Sequence, residues 1–176
     1  MKKTLIIMCG VPASGKSTVA RRLQQHFDHA PIISMDDIRE TKFGSRADQN
    51  HNYEVYNYSI IAVVDAFKTH DVVIYDATNR TRKARKQLVN QISNYWDFDA
   101  YCVYLATDID IAIERNEQRS EHERVPVSVI HRMWDTLQEP TYEEEYLKDI
   151  YKIYPETLDN SRAIVYNILV KQIKEN

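Results

Sequence analysis

Residues 10 to 17, Gly-Val-Pro-Ala-Ser-Gly-Lys-Ser, constrain this chain more than any other stretch. An unbroken apolar run, Thr4 to Cys9, precedes them, and Val19, Leu23 and Phe27 follow at helical spacing. The octet has Walker A spacing: two glycines separated by four residues, then Lys and Ser. Glycine tolerates the torsions that aim successive amide N–H groups at phosphate oxygens, and the following helix adds the positive end of its dipole. Lys16 has the reach for the β and γ phosphates of ATP, and Ser17 offers a hydroxyl to Mg2+. Gly10, Ala13, Ser14, Gly15, Lys16, Ser17 and Thr18 are therefore the expected nucleotide-binding residues. The chain has three glycines, and two stand at the obligatory loop positions. A buried strand, this loop and a helix in that order leave few architectures open.

The remaining elements are read from periodicity. Ile32-Ile33, Val72 to Tyr75 and Tyr101 to Leu105 read as short buried strands, and Asp149 to Tyr154 as an edge strand. Between Asp48 and Thr69, apolar residues at Tyr53, Tyr56, Ile60, Val63 and Phe67 mark an amphipathic helix. A basic helix carries Leu88, Val89 and Ile92. Thr107 or Asp108 caps the next helix. Pro126 suits the first turn of another, with Ile130, Met133, Trp134 and Leu137 inward. A final helix runs from about Leu158 to Ile173. Strands alternating with helices imply one α/β domain over residues 1–176, a three-layer P-loop NTPase fold with a mostly parallel sheet of four or five strands.

Composition excludes several classes. A chain of 176 residues with 43% hydrophobic and 28% charged content can bury a core, so disorder is not expected. No apolar run approaches the roughly 20 residues of a membrane span, and the apolar run after Lys3 stops at Gly10, too short for a secretory core. Cys9 and Cys102 both fall in strands and read as reduced thiols, which with the missing leader points to the cytoplasm. The six histidines lack metal-ligand spacing. Net charge is -3, but Arg80, Arg82, Lys83, Arg85 and Lys86 cluster, as do Glu139, Glu143, Glu144, Glu145 and Asp149. The basic run is either a solvated helix face or an electropositive wall for an anionic substrate.

Polar residues gather where strands end, which is where open parallel sheets bind ligands. After Ile33 come Asp36, Asp37 and Arg39. Either aspartate can take a proton from an incoming hydroxyl, and either can simply cap a helix over 37 to 43. Arg39 suits a substrate phosphate. After Tyr75 come Asp76, Thr78 and Asn79, then Arg80. Asp76 either orders Mg2+-bound water or serves a turn. Arg115 and Arg119 share one helical face, as a lid closing on ATP phosphates over about 115 to 126, or as partners for Glu114, Glu117 or Glu121.

Taken in order, Gly-Val-Pro-Ala-Ser-Gly-Lys-Ser, Asp36-Asp37-Ile38-Arg39, Asp76-Ala77-Thr78-Asn79, and Arg115-Asn116 with Arg119 then Val125-Pro126 resemble the 5′-kinase domain of phage and bacterial polynucleotide kinases. Those enzymes lie within the adenylate-kinase-like P-loop kinases. The resemblance spans about residues 3 to 145. It implies that Lys16 and Ser17 hold phosphates and Mg2+, that Asp36 is the general base, and that Arg39 engages the acceptor phosphate. It further implies that Arg119, with Arg115, contacts the donor phosphates and that the 76–79 element borders the acceptor. The phosphatase motif Asp-x-Asp-Gly-Thr of the bifunctional phage enzyme has no counterpart here, so no phosphatase domain is expected. The expected partners are ATP and 5′-hydroxyl ends of DNA or RNA, which Tyr53, Tyr56 and Tyr58 hold by stacking unless they are core residues. Two other readings stay open: a kinase of a small metabolite such as a nucleoside, sugar or antibiotic, and a non-catalytic nucleotide-binding module.

Overall fold

A computed structural model describes residues 2–46, 48, 50–154 and 159–175. Five strands, β1 (Lys3–Cys9), β2 (Ile32–Ser34), β3 (Val72–Asp76), β4 (Phe98–Leu105) and β5 (Asp149–Ile153), form one sheet in the order β2-β3-β1-β4-β5. Every pairing is parallel, with Ile6 opposite Ile74 and Tyr101, and Ser34 opposite Asp76. The loop strand is therefore central, and β5 is the expected edge. Helices α1 (Lys16–His26), α2 (Met35–Phe43), α3 (Asn52–Ala66), α4 (Arg82–Ile92), α5 (Ile109–Glu117), α6 (Val127–Asp135) and α7 (Asp159–Glu175) complete the chain. Leu158, the expected start of the last helix, lies outside the described residues. No helix among the described residues is long and apolar enough to cross a membrane.

The pleat sorts the strand residues onto two faces. Ile6, Met8, Ile74, Val103 and Ile153 pack on Val19, Ala20 and Leu23 of α1 and Leu169 and Ile173 of α7. Leu5, Ile7, Val73, Tyr75 and Ala100 pack on Ile60 and Val63 of α3 and Leu88, Val89 and Ile92 of α4. Both faces being covered explains why β1 reads as a continuous apolar run. The three layers expected of this sequence are present.

Three expectations are corrected. The stripe on α3 is shifted: Tyr53 is 76% exposed, while Val55 and Ser59 are buried with Ile60 and Val63. The helix begins only at Asn52, which puts Tyr53 in its first turn, and Ser59 tolerates burial because its hydroxyl meets the Tyr75 hydroxyl at 2.8 Å. The cap of α2 is Ser34, whose side chain accepts from the Asp37 N–H, and neither aspartate caps it. Both aspartates instead occupy the first turn, where the helix dipole favours negative charge.

The third correction concerns the basic run. Arg85 lies at the i position of the stripe Leu88, Val89 and Ile92, so the helical period carries it inward. It is fully buried and makes a bidentate pair with Glu144, Nε to Oε2 at 2.9 Å and Nη2 to Oε1 at 2.5 Å. Arg82 meets Glu143 at 3.2 Å. Arg82 and Arg85 are thus paired with the acidic run, and Arg85 belongs to the interior instead of to a positive wall. Burial works to raise the Glu144 pKa, but hydrogen bonds from Arg85 and the Tyr146 hydroxyl outweigh it, and the net shift is downward. A depressed acid contributes stability above its unfolded pKa that is lost as pH falls through the folded value. Glu144→Ala leaves a buried guanidinium unpaired and should cost about 3–5 kcal/mol in urea unfolding at pH 7, with the difference from wild type shrinking at acid pH.

Candidate functional site

The turn after β1 is built for close approach. Gly10 has φ +146°, and a Cβ there would meet Ser14 Oγ at 2.8 Å and the Leu105 carbonyl at 3.1 Å. Gly15 has φ +98° and Ala13 φ +61°, so two of the three positive torsions are on glycine and the third strains an alanine. The fold braces the turn from both sides. Gly10 N donates to the Thr78 carbonyl at 3.0 Å, and Thr107 Oγ1 donates to the Ser14 carbonyl at 2.8 Å. Ser14 Oγ is buried without a hydrogen-bond partner.

Lys16 opens α1 and folds back over the turn, with Nζ 2.7 Å from the Val11 carbonyl. Burial pulls its pKa down, while Asp76 and Asp36 pull it up, so both carboxylates face the lysine electrostatically. Ser17 Oγ donates to Asp76 Oδ2 at 2.6 Å. Burial raises the Asp76 pKa, against the opposing pull of Ser17 and Lys16. A hydroxyl and a carboxylate side by side are the hard oxygen donors that Mg2+ takes together with phosphate oxygens, so the residues present fit that ion. Thr18 follows on the exposed side of α1.

The second carboxylate group arises from the β2–β3 register. Ser34 pairs with Asp76, so the first turn of α2 begins beside the end of β3. Asp36 accepts from Arg39 Nη1 at 2.6 Å, and Arg39 Nη2 donates to Asn52 Oδ1 of α3 at 3.1 Å. Arg39 is itself buried, and its Nε has no partner. Asp37 instead pairs with Arg46, away from Asp36. Both aspartates raise the Asp76 pKa, and Asp36 also raises that of Lys16.

Arg115 and Arg119 arrive from α5. Arg115 Nη1 lies 4.0 Å from where a Cβ on Gly15 would stand, and Arg119 is close enough to Lys16 to lower its pKa. Neither forms an ion pair among the described residues, so Glu114, Glu117 and Glu121 do not hold them. Asn116, between them, is buried; its amide group donates to the Val125 carbonyl at 2.8 Å and accepts from the Val125 N–H at 2.9 Å. This clamp closes residues 118 to 124 into a segment that springs from the arginine helix.

The 76–79 element has two duties. Asn79, at φ +42°, spends its amide on the Met8 carbonyl at 2.7 Å, and its own carbonyl accepts from Arg85 Nη1 at 2.9 Å. Asn79 therefore ties the ends of β1 and β3 together. Thr78, Asn79 and Arg80 also line a cleft with Met35, Tyr56 and Tyr75, and Arg80 donates to the Thr136 hydroxyl. Thr107 and Asn52 carried no motif; the placement of Thr107 just past a strand neighbouring β1 is the signal that a reading of the sequence had to offer.

Comparisons with known proteins bear on the family and the fold. A family model described as an AAA domain matches residues 5–140, and the chain belongs to that family. The bifunctional polynucleotide phosphatase/kinase of Schizosaccharomyces pombe is 25% identical over 147 residues, covering 81% of this chain and 31% of that protein. The chain thus spans less than a third of that relative's length. Kti12 of Chaetomium thermophilum, solved with ADP-AlF3, superposes with a TM-score of 0.73 at 19% identity, covering 95% and 97% of the two chains. A fungal RNA kinase gives 0.70 at 16% identity over 100% and 86%. A gluconokinase from Sinorhizobium meliloti shares the fold at 0.64 with 17% identity, over 98% and 94%. The fold is that of P-loop kinases.

Gly10→Ala should abolish measurable ATP binding by calorimetry while the far-ultraviolet circular dichroism spectrum is retained, because the added methyl meets Ser14 and Leu105 at the end of the sheet and displaces the turn without unpairing the strands. In wild type, Mg2+-dependent ATP affinity should fall as the solution is acidified, starting above the ordinary carboxylate range because burial raises the Asp76 pKa. Asp76→Asn should weaken binding and flatten that dependence.

Proposed function

We propose that this chain is an ATP-dependent kinase that moves the γ-phosphate to the 5′-hydroxyl end of a polynucleotide, DNA or RNA. The observation that carries the reading is Asp36, which Arg39 holds, whose charge acts on the lysine of the phosphate turn, and which directly follows Met35 in the wall of a cleft at the ends of β2 and β3. A switch or passive nucleotide-binding module has no use for a carboxylate held there. The polynucleotide kinase relative and the ordered motif set favour a nucleic-acid end as acceptor.

Gly10, Ala13, Ser14, Gly15 and Thr18 belong to the turn and helix start that receive the phosphates, and Lys16 leaves the Val11 carbonyl to meet them. Ser17 and Asp76 are the residues that hold Mg2+, which when bound offsets phosphate charge. Asp36 accepts the proton of the acceptor hydroxyl. That oxygen then bonds to the γ-phosphorus, the bond from γ-phosphorus to the bridging oxygen breaks, and ADP leaves with the electron pair. Arg115 and Arg119 face the charge that develops on the donor, on a lid over about 115 to 126 that excludes water. Arg39 keeps Asp36 oriented and has its Nε left for an acceptor phosphate. Asp37 stands at the margin of this site, and Thr78, Asn79 and Arg80 border the acceptor.

Two exposed aromatics, Tyr53 and Tyr58 (76% and 42% exposed), project from α3 and are available to a strand entering this face. Lys42 Nζ sits 5.0 Å from the Tyr58 ring centre and adds positive charge there.

Transfer from labelled ATP to a 5′-hydroxyl oligonucleotide tests the reading. Asp36→Asn should lower kcat by about 10²–10⁴-fold and leave ATP affinity within about two-fold of wild type. Lys16→Ala should weaken both. Near-wild-type transfer by Asp36→Asn contradicts the base assignment. Phosphorylation of a sugar or free nucleoside with oligonucleotides inert moves the acceptor to the small-molecule class.

A further inference from the structure

Arg119 stands just outside the helix that leads to it. α5 ends at Glu117 and Arg119 follows in a bend, so helical spacing from Arg115 does not fix where its side chain goes. Even so, Arg119 is half-buried, whereas Glu117, Gln118 and residues 120 to 124 are all exposed. Hydrogen bonds hold its backbone from both ends. Its N–H donates to the Asn116 carbonyl at 3.2 Å, and its carbonyl accepts from Arg124 Nε at 2.9 Å. Asn116 also anchors the far end of the segment. It is 2% exposed, and its side-chain amide meets both the carbonyl and the N–H of Val125, at 2.8 and 2.9 Å. No carboxylate shares this task, since Arg119 has no ion pair among the described residues. It is also near enough to Lys16 to pull that residue's pKa down. Hydrogen bonds thus keep Arg119 near a second cation, against like-charge repulsion.

Resting on the reading above that Arg119 meets the donor phosphates, we infer that Asn116 is a positioning residue for phosphoryl transfer. Its two-way clamp on Val125 sets the bend that presents Arg119 to those phosphates. A fixed charge lowers a barrier most when it is already in place, because the cost of ordering it then falls on folding and not on the reaction. An amide suits the task, since one planar group supplies a donor and an acceptor together. Asn116 follows Arg115 directly, and Arg115 Nη1 lies 4.0 Å from where a Cβ on Gly15 would stand, so the clamp is rooted beside the phosphate turn. The competing account is that the clamp merely seats Pro126 at the start of α6. The two accounts differ in one respect: whether Asn116 acts through Arg119.

The test is a double-mutant cycle on transfer from labelled ATP to a 5′-hydroxyl oligonucleotide. Misplacing a reacting group by about 1 Å costs on the order of 10²-fold, so Asn116→Ala should lower kcat by about that factor and leave the acceptor KM within about two-fold. Arg119→Ala should lower kcat at least as far. In the Arg119→Ala background, adding Asn116→Ala should change kcat by less than about two-fold. Arg124→Ala, at an exposed position, should show the same dependence on Arg119 with a smaller loss, and it decides the matter if Asn116→Ala does not fold. A loss that is undiminished when Arg119 is absent, or a kcat near that of wild type, overturns the assignment. If wild type phosphorylates no oligonucleotide, the polynucleotide reading falls, and the same cycle is read by calorimetry with ADP and aluminium fluoride. Asn116→Ala should then weaken binding by about ten- to hundred-fold when Arg119 is present and not when it is absent. Any other pattern removes the positioning role as well.

Discussion

A lysine ammonium buried under a turn of backbone amides is the constraint on which this structure depends. Burial disfavours the charge on Lys16, and the protein offsets it with the Val11 carbonyl and with two carboxylates, Asp76 and Asp36, that act at longer range. In the proposed reaction the same carboxylates are the cation-side ligand and the proton acceptor.

Around this centre the fold supplies rigidity from behind. The turn carries three positive torsions, and strained backbone persists only where its surroundings over-determine it. Thr107 and Thr78 hold it from β4 and β3. Asn79 fastens β3 to β1 one step below it, and Arg85, locked to Glu144, caps the Asn79 carbonyl from α4. Polar groups at the carboxyl ends of the strands are engaged in bracing almost everywhere. Those without a partner, Ser14 Oγ, Arg39 Nε and Tyr56 OH, stand out for that reason.

Much of this was legible in the chain because the governing patterns are local. The Walker octet, the apolar run before it and the stripe on α1 each follow from a few consecutive residues, and the parallel sheet follows from their alternation with helices. What escaped were relations between distant residues. Arg85 looked like part of a basic wall because its neighbours are basic, although the spacing 85, 88, 89, 92 already placed it on the buried stripe. Its partner, Glu144, lies 59 residues away and carries no motif. Ser34 displaced the aspartates as the cap because β2 extends one residue further than its apolar pair suggested. Asn116 was readable as a motif member, yet its work, a two-way clamp on Val125, is visible only once the chain turns back on itself.

The central claim is that this protein grips a nucleotide by its phosphates. Calorimetric titration of the unmodified chain with ATP, ADP and adenosine, each with Mg2+, tests it most directly. The account predicts that ATP and ADP bind and adenosine does not, since the proposed contacts of the turn, the lysine and the two arginines at the end of α5 are all to phosphate oxygens. Adenosine binding as tightly as ATP, or ATP producing no heat across the micromolar-to-millimolar range, would contradict it.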